Sequence, residues 1–235
     1  MYIKVPDESK IKLNFIERSV TDKDYLDVRE RLWEKKLKDA KEKGRQLFNG
    51  KVYTVEKLVS GKDDEIIISM SVCEYKDIIL NLAYLNGETD MQPFYQHSYV
   101  LCLIKTIDDY YIFTETGSTM LVGAGRIDLI GGTLNQDEAV LTEFGDIRKF
   151  ILKEIEEESG LQLEGQLDLI AIGHFNLKFG FTFQLKIDMT KDELLSKVNL
   201  SEINALIALR KSEITEFSGV QDPSFEQFKN YLDFI

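Results

Sequence analysis

The chain is poor in several residue types, and each scarcity excludes something. Its 235 residues include only two cysteines, three prolines and two histidines. Cys73 and Cys102 lack CxxC or CxxH spacing, so they make neither a zinc motif nor a disulfide framework and read as buried thiols. His97 and His174 have no ligand-spaced partner, and no catalytic part falls to either. Basic residues are also scarce: 29 Lys and Arg face 41 Asp and Glu, a net charge of −12. That excludes broad binding of duplex nucleic acid, which needs a basic surface to displace counterions. A small anionic partner stays open, because a bound metal can supply positive charge. No run approaches the ~20 apolar residues of a membrane span. The start, MYIKVPDESK, has no positive segment followed by an apolar stretch, so no signal peptide is expected. The expected setting is soluble, reducing and cytoplasmic.

Hydrophobic residues make up 43% of the chain and charged ones 30%, enough for a packed core. The first part reads as a small mixed unit. Residues 12–16 alternate like a strand, and 22–43 read as a charged helix with Tyr25, Val28, Leu32 and Ala40 near one face and Trp33 and Leu37 flanking it. Strands at 51–59 and 65–72 form an expected hairpin across residues 60–64, and 75–85 read as a short helix. The polar stretch 87–96, with Pro93, marks a boundary. The expected division is an N-terminal α+β domain over 1–95 and a second domain over 96–235.

In that second part, strands are expected at 99–105, 110–114, 120–122, 126–130, 167–173, 181–187 and 213–217. A long helix ends near Glu158, helical turns occupy 191–209, and 223–234 read as an amphipathic helix. Strands mixed with a few helices predict an α+β fold, not a regular βαβ series.

The informative stretch is Arg126 to Leu161, where a strand enters a Gly131-Gly132 turn and a helix ends in KEIEEESGL. At 3.6 residues per turn, Glu154, Glu157 and Glu158 fall within an arc of about 100°, and Glu156 points away. Phe144, Ile147, Ile151 and Ile155 share one helix face, and Glu154 and Glu158 project in the same sector. Acidic residues in a last turn oppose the helix dipole, which favours cations there. Three packed carboxylates also repel one another. A divalent cation relieves both conflicts, and an oxygen-only donor set suits Mg²⁺ or Mn²⁺. The bland alternative is a solvated acidic face.

These residues resemble the signature of the Nudix hydrolase superfamily. Its first half is matched by Gly132, five residues, then Glu138. Its second half is matched by Lys153-Glu154-Ile155-Glu156-Glu157-Glu158-Ser159-Gly160-Leu161, and Ile127 to Gly132 resembles the strand leading into the family's glycine turn. Two departures stand out. Fourteen residues, not the usual seven, separate Glu138 from Lys153, which a helix longer by two turns would accommodate, and Glu143 becomes a rival to Glu138. Lysine also stands where the family has arginine, exchanging a planar fork for a point charge. The resemblance spans roughly residues 98–220.

The resemblance implies an α/β/α sandwich around a mixed sheet. It also implies metal-dependent hydrolysis of a nucleoside diphosphate linked to another group. Glu154, Glu157, Glu158 and the Gly132 carbonyl would hold Mg²⁺ or Mn²⁺. Glu158 would activate water, with Lys153 and Glu138 also catalytic, and Glu213 or Glu216 are alternative bases from a later loop. Arg126 would contact phosphate, and Tyr95, Tyr99 or Phe175 would stack on a base unless they serve the core. Leu47 to Tyr53, Glu74-Tyr75-Lys76-Asp77 and the stretched box also resemble a Nudix subgroup acting on UDP-sugars, with ADP-ribose-like substrates next. The implied partner is a small nucleotide, with no duplex nucleic acid and no membrane; self-association as a homodimer is compatible with the chain. The rival reading is a Nudix-shaped nucleotide-binding or regulatory module without turnover.

Overall fold

The computed structural model describes residues 2–4, 7–116, 127–175, 177–198 and 203–216. Arg126, the strand expected at 120–122 and the helix expected at 223–234 lie outside the described residues. In chain order the elements are β1 (Tyr2–Ile3), β2 (Ile11–Phe15), α1 (Lys23–Glu42), β3 (Lys51–Ser60), β4 (Ile66–Glu74), α2 (Tyr75–Leu85), β5 (His97–Lys105), β6 (Tyr110–Thr116), β7 (Ile127–Asp128), β8 (Ile130–Thr133), α3 (Phe144–Ser159), β9 (Gly165–Phe175), β10 (Lys178–Ile187), α4 (Lys191–Lys197), β11 (Ile203–Arg210) and α5 (Lys211–Glu216). The class is α+β. Two compact units emerge. The first holds the described residues up to Tyr99 with Thr133–Ile147 and Ile172–Gly180, and the second holds those of Val100–Gly132, Arg148–Ala171 and from Phe181 on.

In the first unit β2 pairs parallel with β4, and β4 pairs antiparallel with β3, so the sheet is mixed. The β3–β4 connection turns through Asp63 and Asp64, both with positive φ. At the start of α1 the Asp22 carboxylate accepts a hydrogen bond from Tyr25 N–H at 3.0 Å. Gly44, at φ 67°, follows its end. Tyr25, Leu32 and Trp33 of α1 pack with Ile79, Leu80 and Ala83 of α2. Trp33 thus belongs to the buried stripe, whereas Leu37 is exposed.

In the second unit β6 pairs antiparallel with β5, β7 and β11. The helical turns expected over 191–209 hold for α4, but Ile203–Arg210 is a strand: Ile203 lies opposite Thr116, and after a register shift the pairing with β6 runs from Ala205 opposite Glu115 to Arg210 opposite Tyr110. The run INALIALR carries no decisive period of its own, and cross-strand pairing decides. The strand expected at 213–217 is instead the helix α5 over its described residues. Cys73 and Cys102 are buried free thiols. Among the described residues no helix is long and apolar enough to cross a membrane.

Candidate functional site

Helix α3 runs into an electrostatically poor end. No basic residue stands in its last turn. Its apolar side chains explain why it persists there. Ile147, Phe150, Ile151 and Ile155 are buried, at about 1.5–3 kcal/mol each. The unfavourable dipole term is only about 0.3–1 kcal/mol per charge. Gly160 takes φ 69° and its N–H donates to Glu156 O at 2.8 Å, closing the helix. The buried stripe sets the facing of the acids: Glu154 and Glu158 are half-buried at its rim, Glu156 and Glu157 are exposed. Glu156 accepts from Gln162 Nε2 at 2.8 Å, consistent with its turning away from the other three.

In the same unit, the β8 turn meets these acids. Gly131 has φ 147°, and a Cβ there would overlap the Val100 carbonyl oxygen. Backbone blocks that space, so only glycine fits. The positive φ falls on Gly131 and not on Gly132. At Gly132 the neighbour is a side chain: a Cβ there would overlap Glu154 Oε2, the end of a flexible carboxylate. Gly131 N–H donates to Glu158 Oε1 at 3.3 Å. The two glycines therefore each meet one carboxylate of α3. Glu154 and Glu157 bring carboxylate oxygens within 4.8 Å of one another. Lys153 Nζ lies 3.1 Å from Glu157 Oε1, with both side chains nearly half exposed. Such a surface pair is worth only about 0.3–0.5 kcal/mol.

The arrangement suits a hard divalent cation. The donors are oxygens only, and the side-chain-free turn leaves the backbone open at Glu154. Glu154 and Glu157 bring oxygens close enough to hold one, and Glu158 and the Gly132 carbonyl are the further ligands that the box resemblance implies.

Glu138 and Glu143 belong to the first unit. The longer helix expected from the stretched spacing is absent: α3 begins at Phe144, so the extra residues lie before it. Asp146 explains the start, since its Oδ2 accepts from the N–H groups of Thr142 at 2.8 Å and Glu143 at 3.1 Å. Glu138 is exposed in a turn, where its carboxylate accepts from Asn135 Nδ2 at 3.0 Å.

Glu213 and Glu216 are exposed on α5. Glu213 accepts from Arg210 N–H at 2.6 Å at the helix start, a capping role. Tyr95 and Tyr99 are buried. Burial pushes the His97 imidazole down to about 3, which keeps it neutral. The motif at Glu74 to Asp77 has a local task, because Glu74 and Asp77 form the capping box of α2. It also touches the Asn49-Gly50 turn: Asn49 Nδ2 donates to Glu74 Oε1 at 3.2 Å, and Lys76 N–H donates to Asn49 Oδ1 at 3.1 Å. The contact of Gly131 with Glu158 had no signal in the sequence beyond the doubled glycine.

No family model matches the chain, and no curated protein matches it. Solved structures do. A MutT protein from Methanosarcina mazei is 17% identical over 59% of this chain and 93% of its own, with a TM-score of 0.42. A NUDIX hydrolase from Nitrosomonas europaea is 21% identical over 59% of this chain and 89% of its own, with a TM-score of 0.41. The NUDIX domain of Shewanella oneidensis NrtR, solved with ADP ribose, is 10% identical over 64% of this chain and 97% of its own, with a TM-score of 0.43. These structures similar to the chain come from the Nudix group, the family that its box residues resemble.

Proposed function

We propose that the chain is a Mg²⁺- or Mn²⁺-dependent Nudix-type pyrophosphohydrolase. Its substrate is a nucleoside diphosphate linked to another group, best a nucleoside diphosphate sugar of UDP-sugar or ADP-ribose type. The observation that supports this most is the meeting of Gly131 and Gly132 with Glu158 and Glu154. An acidic helix end that served only as a solvated face would not need a side-chain-free turn against it. When bound, the metal would offset the diphosphate charge and lower the pKa of a coordinated water.

The chain's own residues supply orientation. Gly131 N–H fixes Glu158 through Oε1, which sets that carboxylate to take a proton from the attacking water. Lys153 holds Glu157 by a point charge. Water adds to one phosphorus as the bridging P–O bond breaks, giving a nucleoside monophosphate and a sugar phosphate. Glu138 is kept as a further catalytic residue by its spacing after Gly132, and Arg126 as a phosphate contact.

A panel of nucleoside diphosphate derivatives assayed with Mg²⁺ for released monophosphate tests the reading. UDP-sugar or ADP-ribose should give product under single-turnover conditions. Clear calorimetric binding without product would favour the non-catalytic nucleotide-binding module, which the weak Lys153–Glu157 pair keeps in play.

A further inference from the structure

The first unit contains a cavity that the proposed hydrolysis does not use. It has a volume of about 420 Å³, within the range of small-molecule sites. Val20, Leu26, Val72 and Tyr95 give it apolar wall, and its charged lining comprises Arg18, Arg29, Lys51, Glu74 and Asp77.

Both acids of that lining are already engaged. Asp77 accepts from Tyr25 Oη at 3.0 Å, Arg29 Nη1 at 3.2 Å and Glu74 N–H at 3.0 Å. Glu74 accepts from Asn49 and lies 3.0 Å from Lys76 Nζ. Arg29 is committed to Asp77, Glu74 and Glu30. Arg18 pairs with Glu56 and sits 3.9 Å from the centre of the Phe94 ring. Lys51 differs. Among the described residues its ammonium has no carboxylate partner, and the side-chain amide of Gln136, also in the lining, makes no hydrogen bond. Gln136 N–H donates to Lys51 O at 2.8 Å, which holds these two residues together. Among the described residues the unspent polar capacity of the cavity is thus the Lys51 cation, the Gln136 amide, the Ser19 hydroxyl and the buried Arg29 Nε–H, beside an apolar wall. A cationic ligand would find no uncommitted carboxylate.

We propose that this cavity binds a small organic anion. Its flat apolar body lies against Val20, Leu26 and Tyr95, and its carboxylate or phosphate sits on Lys51, with the Gln136 amide as a neutral donor. The site is independent of the hydrolase reading.

Calorimetry on the full chain without divalent metal tests it, using benzoate, phenyl phosphate, inorganic phosphate and benzamidine as probes. Benzoate or phenyl phosphate should bind saturably, and the tighter of the two identifies the head group. Inorganic phosphate should bind about tenfold more weakly, because it lacks the apolar body. Benzamidine should not bind. Lys51→Gln should weaken the aromatic anion about tenfold, Lys51→Arg should retain it, and Leu26→Trp should fill the cavity and remove it. Benzamidine binding as tightly as benzoate, unchanged affinity in Lys51→Gln, or no saturation of either anion by about 1 mM would each overturn the proposal.

Discussion

Acids stand at opposite ends of two helices, and the chain treats them differently. Asp77 lies in the first turn of α2, where the helix dipole favours negative charge. It is buried and fully engaged by Tyr25, Arg29 and the Glu74 N–H. Glu154, Glu157 and Glu158 lie in the last turns of α3, where the dipole disfavours them. Two of these three meet a glycine turn, and the nearby lysine is a half-exposed point charge on the third. The fold accounts for the first acid without any ligand. The helix dipole opposes the second group, and there the proposed cation would be favourable. A carboxylate is therefore read as structural or functional by its helix end and its partners, not by its burial alone.

The comparison breaks most visibly at Asp77. Asp77→Ala would leave the Tyr25 hydroxyl without its acceptor and take from Arg29 the buried one of its carboxylate partners, with Glu30 and Glu74 remaining, at a cost of about 3–5 kcal/mol in urea unfolding. A loss below 1 kcal/mol would show that the network only decorates the α1–α2 contact. Glu157→Gln is the counterpart in α3. It should lower Mg²⁺-dependent turnover about 100-fold, close to 3 kcal/mol in the barrier, with unfolding unchanged. Unaltered Mg²⁺ or Mn²⁺ affinity in that variant would remove Glu157 from the ligand set.

The paired glycines sharpen the contrast further. Gly131→Ala must displace backbone at Val100 and should cost about 2 kcal/mol of stability. Gly132→Ala meets only the end of the flexible Glu154 side chain, so it should spare the fold and lower turnover about tenfold. Equal losses of stability in the two would end the distinction.

The pH dependence of Asp77 is a smaller effect. Burial holds its carboxyl above the ordinary value, although Arg29 pulls the other way. A raised folded-state pKa contributes stability that is present below the unfolded value and is lost as pH rises through the folded one. Asp77→Asn keeps an acceptor but removes that titration. Its urea midpoints should fall less than the parent's as pH rises above the ordinary aspartate range.

Much of this was legible in the sequence where local pattern and tertiary environment agree. The helix at 75–85 and the hairpin from Lys51 to Glu74 read correctly, because alternation, capping residues and turn residues all point the same way there. The facing of Glu154 and Glu158 followed from the apolar stripe of α3. What failed depended on distant pairing: β11 is a strand because β6 lies alongside it, and no local period announces that. The start of α3 was also hidden. Asp146 caps it, and that places Glu138 in a turn instead of on a longer helix. Which glycine takes the left-handed conformation needed the position of Val100.

The smallest expected effect is at Lys153, and it separates enzyme from binder. Its ammonium lies 3.1 Å from Glu157 Oε1 across one helical turn, with both groups near half exposure. A point charge on a flexible stem restrains distance but not the plane of the carboxylate, whereas a guanidinium fork restrains both. If Glu157 serves as a ligand, tighter orientation helps the reaction without changing the donor set. Lys153→Arg should then raise turnover about twofold or leave it unchanged, and Lys153→Ala should lower it severalfold while nucleotide affinity stays near the parent value. In a binding module neither variant has turnover to alter, and both move affinity only slightly. Single-turnover cleavage of a UDP-sugar by the three proteins, alongside calorimetry of the same ligand, reads both quantities. An Ala variant that lost affinity and kept its rate would assign Lys153 to ligand contact and not to the positioning of Glu157.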